Sequence, residues 1–243
     1  MRKPKIVLYD IETSPIIATT WSLYQDHINH TDILQDTFII SAAWKELGAK
    51  SVKSTSINDF KRKSADDDYG VCKALREALE EADILIGHNS KKFDTKKLNA
   101  RLIFHGLKPL PKIVQLDTLK EIKKIAAFTS NRLDFLGKKL IGHGKIETST
   151  GMWLRAMRGE RLAVAEMVKY NKIDVVRLEE VYLKIRPYIE NHPFSTPKSD
   201  CACRNCGSNS LAKKMVRLTA GGIQVQQYQC KSCGSYSTYP IKK

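Results

Sequence analysis

Residues 5–13 read Lys-Ile-Val-Leu-Tyr-Asp-Ile-Glu-Thr, an apolar run that passes straight into an Asp-x-Glu pair. A short stretch of β-branched and aromatic residues bounded by polar ones has the composition of a buried strand. Strand side chains alternate between faces, so Asp10 and Glu12, two residues apart, share one face at the strand's end. Two neighbouring carboxylates repel each other, which is costly unless cations bridge them. On its own the pair fits an exposed strand end with two solvated charges equally well. The buried run Ile6-Val-Leu8 tips the balance, because active sites of α/β proteins collect at the ends of such strands.

Outward from this stretch, residues 38–44 and 51–57 have the same strand composition, and three early strands suggest a meander. A helix is expected over 69–82, with Val71, Leu75, Ala78 and Leu79 on one face, then a short buried strand at 84–87 and a helix over about 95–105. A strand at 113–116, helices at 118–128 and near 133–140, and a long helical pattern over 160–189 complete this part. Strands first in a hairpin set, then alternating with helices, imply a mixed α/β sheet flanked by helices. The segment His192-Pro-Phe-Ser-Thr-Pro-Lys-Ser199, with two prolines and no apolar periodicity, is expected to be a linker. The organisation is then a domain over 1–191, a linker over 192–199 and a small module over 200–243.

The chain has 243 residues and 42% apolar content, enough for one medium domain plus a small module, which excludes disorder throughout. No stretch is long and apolar enough to cross a membrane as a helix, and no apolar signal segment follows the basic first residues, so a cytoplasmic location is expected, the host cytoplasm if the source is viral. A formal charge of +15 suggests a polyanionic partner, nucleic acid ahead of an anionic membrane. That charge is uneven: residues 198–243 hold 8 Lys and Arg against 1 acid, the remainder 33 against 25.

Two further acids stand in suggestive settings. Asp94 closes Gly87-His-Asn-Ser-Lys-Lys-Phe-Asp94 directly ahead of a helix, where a helix cap is an equally good reading. In Tyr170-Asn-Lys-Ile-Asp174 the spacing stacks Tyr170 and Asp174 on one helix face. Taken together, Asp10-Ile-Glu12-Thr13, Asn89 to Phe93-Asp94 and Tyr170 to Asp174 resemble, in order, the three motifs of the DEDD-type 3′–5′ exonucleases, whose fold is ribonuclease H-like. Asp117-Thr-Leu119 and Ser130-Asn-Arg-Leu-Asp-Phe-Leu136 resemble the segments between the second and third motifs, so the likeness runs over about residues 5–190. The family's histidine branch has a His where this chain has Lys169, and its tyrosine branch has the Tyr found at Tyr170. His143, within Gly142-His-Gly144, is therefore read as part of a loop and not as a base.

The resemblance implies two Mg²⁺ or Mn²⁺ ions about 3.5–4 Å apart that activate a water, stabilise the phosphorane charge and support the leaving 3′ oxygen. It implies that Asp10 bridges both ions, that Glu12 and Asp174 hold the one carrying the nucleophilic water, and that Asp94 holds the second directly or through water. Tyr170 would orient the attacking water. Asn89, Lys92, Phe93, Lys97 and Arg101 are expected to flank the substrate strand, with a solvated helix face as the alternative for the cations.

Five of the six cysteines fall in the last 43 residues. Cys203-Arg-Asn-Cys206-Gly-Ser and Cys230-Lys-Ser-Cys233-Gly-Ser repeat one pattern, with 23 residues between the pairs. In such spacing four thiolates bind one structural Zn²⁺ at about 2.3 Å, and a glycine relieves each tight knuckle. Residues 211–218 and 223–229 can pair as strands around Thr219-Ala-Gly-Gly222. The module resembles a zinc ribbon too small to fold without its metal. Cys201 is an alternative ligand that spacing disfavours; Cys72 reads as a small core residue. Lys213, Lys214, Arg217, Lys231, Tyr228 and Tyr236 supply the cations and rings that single strands favour, with protein docking as the other use of the module.

The expected activity is removal of nucleotides from a free 3′ end, with single-stranded DNA ahead of RNA. An exoribonuclease or RNA-processing nuclease on the same fold is the enzymatic alternative, and an inactive nucleic-acid-binding or scaffold protein the other. A separate polymerase or a replication or repair protein is the expected protein partner.

Overall fold

The computed structural model describes residues 4–24, 26–142, 149–190, 192–193 and 202–241. The main sheet contains β1 (Ile6–Thr13), β4 (Ile39–Glu46), β5 (Lys53–Ser56), β6 (Ile84–Gly87) and β7 (Val114–Asp117), while β2 (Ile17–Ala18) and β3 (Ile33–Gln35) form a separate two-stranded ribbon between β1 and β4. The order is β5-β4-β1-β6-β7; the pairs β5–β4 and β4–β1 are antiparallel, and the pairs β1–β6 and β6–β7 are parallel. This is the expected mixed sheet with helices on it, a ribonuclease H-like α/β architecture, and the expected meander is β1-β4-β5.

Among the described residues, six helices flank the sheet: α1 (Tyr69–Leu79), α2 (Asp94–Phe104), α3 (Thr118–Ile125), α4 (Leu133–Ile141), α5 (Thr150–Met157) and α6 (Arg161–Ile185). The last runs into a short 3-10 turn over Arg186–Tyr188, so the helical pattern expected to 189 is broken where Pro187 removes a backbone donor. The expected helix over 118–128 ends at Ile125, followed by extended Ala126. Neither α5 nor the β2–β3 ribbon is evident in the periodicity, because both are short.

Alternation along β1 decides the layering. Val7, Tyr9 and Ile11 join one core with Val71, Leu75 and Leu98 of α1 and α2, whereas Ile6 and Leu8 join a second with Leu136 of α4 and Val175, Leu178 and Val181 of α6. Cys72 is fully buried in the first core, as expected. Asp10 and Glu12 continue the even-numbered series and therefore turn toward α6. A buried ion pair between Lys45 of β4 and Glu179 of α6 fastens that helix to the sheet, and Glu179 also accepts the Gly48 N–H at 2.7 Å.

The C-terminal module is a three-stranded antiparallel sheet of β8 (Leu211–Leu218), β9 (Gln224–Cys230) and β10 (Tyr236–Pro240), the last an element beyond the expected hairpin. It docks on the end of α6: Arg186 Nη2 donates to the Asn205 carbonyl at 2.7 Å, and Asn205 Nδ2 donates back to the Arg186 carbonyl at 2.5 Å. His192, expected to open the linker, is instead buried, with a 2.7 Å hydrogen bond between its Nε2 and the Tyr182 hydroxyl. Residues 194–199 of the linker, with His143 and Cys201, lie outside the described residues.

Candidate active site

The carboxylates of Asp10, Glu12 and Asp174 each place an oxygen within 4.8 Å of the others. Two come from the end of β1, where the ladder to β4 shifts register between Glu12 and Thr13, and the third from the middle of α6. Tyr170, one turn before Asp174, is buried, and its ring meets the Trp153 ring of α5 edge-on at 5.9 Å. Trp153 is a neighbour of the site that no motif in the sequence singles out.

Such a cluster is electrostatically costly. Burial, then the charges of Asp94, Glu12 and Asp174, hold the Asp10 carboxyl well above the usual carboxylate range, and the opposing influence is a hydrogen bond from Asn171. Asn171 is fully buried; its Nδ2 donates to Asp10 Oδ2 at 2.6 Å, and its Oδ1 accepts from Ser41 of β4 at 3.4 Å. Asp174 is balanced differently, by a hydrogen-bonded ion pair with buried Arg177 one turn further along α6. Neither partner follows from motif spacing, although both lie on the helix face of Asp174 and could be found by periodicity once Asp174 is suspected.

Asp94 stands apart from the three-carboxylate cluster. It is the first residue of α2 and does not cap the helix; its Oδ1 reaches across to accept the Ile11 N–H at 3.2 Å. Burial lifts its carboxyl to about 7, against the lowering effect of the hydrogen bonds it accepts. The loop before it is folded by Asp117, whose two oxygens accept the N–H groups of Asn89 (2.9 Å) and Lys91 (3.3 Å) while also capping α3. Asn89 takes the left-handed backbone (φ 65°) that this tight turn requires and that asparagine tolerates. Beside the cluster lies a cavity of about 710 Å³, lined by Asp174, Asn89, Lys123, Ser130 and Arg132 among others.

The model for the RNase_H superfamily matches residues 35–186, from the strand before β4 to the end of α6. The chain belongs to the RNase_H superfamily. No curated protein matches it. The matched span contains Asp94, Tyr170 and Asp174, and the sheet then brings Asp10 and Glu12, which precede it, onto Asp174. Nuclease-type chemistry with divalent metal ions characterises this superfamily, and a cluster of three carboxylates suits it: hard divalent cations select oxygen ligands, and Asp10 is held from ionising easily by burial and then by neighbouring negative charges, which a cation would offset.

The residues expected to flank a substrate strand divide. Lys92 is exposed and Phe93 is 41% exposed at the start of α2, next to Asp94. Lys97 donates to the Thr37 hydroxyl at 2.7 Å. Arg101 corrects the expectation: it is buried, its Nε and Nη2 grip Asp68, itself fully buried, at 2.7–3.0 Å, and it cannot meet a strand. The helical stripe Leu98, Arg101, Leu102 faces the core and carries the guanidinium inward. On the module, Lys213, Lys214, Arg217 and Lys231 are exposed and Tyr236 is 55% exposed, whereas Tyr228 is partly covered by an edge-on contact with Tyr239 at 5.7 Å.

The sulfurs of Cys203, Cys206, Cys230 and Cys233 lie within 4.8 Å of one another, with Cys203–Cys233 and Cys206–Cys230 at 3.6 Å. A tetrahedral ion at about 2.3 Å from each sulfur needs separations of about 3.8 Å, so the four could bind zinc. Both knuckles are built alike: Gly207 and Gly234 have φ of 75° and 79° and donate to the carbonyls of Cys203 and Cys230. The repeated Cys-x-x-Cys-Gly thus becomes two equivalent turns. Among the described residues no helix is long and apolar enough to cross a membrane.

Proposed function

We propose that this protein is a metal-dependent 3′–5′ exonuclease of the tyrosine DEDD type, acting on single-stranded DNA, with a catalytic domain over 1–191 and a zinc ribbon over 200–243. The observation that carries the reading is the meeting of Asp10, Glu12 and Asp174 on a ribonuclease H-like sheet, with Tyr170 one turn from Asp174. Asp10, Glu12, Asp174 and Asp94 would hold two Mg²⁺ or Mn²⁺ ions, which supply a polarised water and charge stabilisation when bound. Asn171 keeps Asp10 oriented and favours its ionised form. Tyr170 orients the attacking water through its hydroxyl, with Trp153 fixing the ring, and Phe93 packs against the end of the strand. Asp117 holds the Asn89–Lys91 turn so that Asp94 enters α2 beside the cluster.

In the ribbon, Cys203, Cys206, Cys230 and Cys233 hold one Zn²⁺. The ribbon's docking point at Arg186 lies twelve residues beyond Asp174 along α6, about 18 Å at 1.5 Å per residue. Its exposed cations would therefore meet the strand well away from the cut.

Incubation of 5′-labelled linear DNA and RNA oligonucleotides, and of internally labelled circles, with Mg²⁺ or Mn²⁺ tests the reading. A ladder of shortened products from linear DNA is expected, and Asp10→Ala and Asp174→Ala should each remove it. Undiminished activity in both variants would sink the assignment; cutting of circles would make the enzyme an endonuclease, and faster loss of RNA an exoribonuclease.

A further inference from the structure

A second cavity, of about 810 Å³, opens where the loop after β5 meets the start of α1 and the end of α2. Its walls pair three rings, Phe60, Tyr69 and Phe104, with three lysines, Lys61, Lys63 and Lys73. All three rings are partly open to solvent, at 39%, 44% and 69%. None of these lysines makes a salt bridge among the described residues. Asp66, which accepts from the Ser64 hydroxyl, and Asp67, which accepts the N–H groups of Lys63 and Tyr69, keep their charges, so with Arg62 the lining sets four cations against three acids. Glu77 is the remaining acid at the rim.

The rim is tied to the end of the sheet that carries the carboxylates. Buried Asp68 accepts from Arg101, is hydrogen-bonded to His105, and accepts the N–H of Ile39 at 2.7 Å; Ile39 is the cross-strand partner of Thr13, three residues beyond Asp10. Helix α2 links the two places. Phe93, Lys97, Ala100 and Phe104 follow each other at spacings of four, three and four residues, which puts them on one helix face. From Asp94 to Phe104 the helix rises about 15 Å, the span of about four nucleotides at a stacked spacing of about 3.4 Å.

We propose that this cavity is a second nucleic-acid site, which holds a single-stranded segment about four nucleotides from the end seated at the carboxylate cluster. Unpaired bases stack on Phe60, Tyr69 and Phe104, and phosphates lie against Lys61, Lys63 and Lys73. Exposed rings inside a concave wall with a small excess of cations suit a single strand, whose bases are free to stack, and not a duplex, whose bases are already paired and stacked. The inference rests on the nuclease reading for the position of the strand's end.

Fluorescence anisotropy with 5′-labelled dT12, across a salt series and with no divalent ion added, tests it on the full chain. The combined variant Lys61→Ala, Lys63→Ala, Lys73→Ala should bind dT12 about tenfold or more weakly, and its log affinity should fall less steeply with log salt, by about 2, at roughly 0.7 for each phosphate that a lysine no longer neutralises. Phe104→Ala should weaken dT12 binding by about five- to a hundredfold with the salt slope unchanged, as expected when one stacking ring is removed. Unchanged dT12 binding in both variants overturns the proposal. Because nothing is hydrolysed in this assay, it reads the cavity even if the chain yields no ladder, and a normal ladder with unchanged dT12 binding would refute the cavity alone.

Discussion

Asn171 offers the sharpest test of the candidate site, because its role rests on one hydrogen bond that activity motifs do not name. Its Nδ2 lies 2.6 Å from Asp10 Oδ2, and Asp10 is otherwise surrounded by the like charges of Glu12, Asp94 and Asp174. A hydrogen bond to a charged group contributes about 1.5–3 kcal/mol, and loss of a partner that orients a metal ligand costs roughly ten- to a hundredfold in metal affinity. Asn171→Ala should therefore weaken Mn²⁺ binding by about that factor, read by calorimetric titration. The effect has a direction in pH. Asn171 favours the ionised carboxylate, so without it Asp10 holds its proton to still higher pH, and protons compete more strongly with the cation. The weakening should be larger at pH 6 than at pH 8. Asn171→Asp should be worse at both, since it sets a fourth carboxylate against Asp10. A thermal melt separates a damaged site from a damaged fold, because Asn171 is buried and its removal also leaves the Ser41 hydroxyl without that acceptor. A variant that melts normally and binds Mn²⁺ as tightly as the parent at both pH values would refute the reasoning.

Burial raises the Asp94 carboxyl to about 7 from an unfolded value near 4, so the folded chain without divalent ions keeps a proton that the unfolded chain releases first; its melting temperature should fall as pH rises from about 4 to 7 and level off above. Mn²⁺ should reverse the fall, and Asp94→Asn should melt several degrees higher than the parent at pH 8 without added metal; a flat profile in the parent would contradict this. Cys206→Ser should release the zinc, measured by a colorimetric chelator, and unfold the 202–241 module while the main transition survives, since the sheet has its own two cores. Arg101→Ala should cost about 1.5–3 kcal/mol in denaturant unfolding, because buried Asp68 loses its charge-assisted bonds to the guanidinium and keeps those to His105 and the Ile39 N–H; a change below about 0.5 kcal/mol would mean that the pair is solvated.

Much of the fold was legible because it is written in local pattern. The alternation of Ile6, Val7, Leu8 and Tyr9 marks a strand buried on both faces, and the same period of two sends Asp10 and Glu12 to one side. Arg101 shows where local reading fails. A basic run on a helix looks the same whether one of its cations is solvated or swallowed, and the information lay in its phase with Leu98 and Leu102, not in its charge. Short α5 escaped notice because eight residues hold too few turns for a period to stand out, yet it brings Trp153 to Tyr170.

Residue types and local geometry are properties of short stretches of chain: a carboxylate pair on a strand, a tyrosine and an aspartate one helical turn apart, and two glycine-relieved cysteine turns. Which of these meet depends on the packing of whole elements. Asp10 and Asp174 are separated by 163 intervening residues and come together because α6 packs against the face of the sheet toward which even-numbered residues of β1 point. The same packing supplies Asn171 and Arg177 to balance charges that would otherwise repel, turns Asp94 onto the Ile11 amide, and seats the cysteine module on Arg186, away from the carboxylates. Local periodicity is a property of a few consecutive residues, whereas these meetings depend on how whole elements bury their apolar faces against one another.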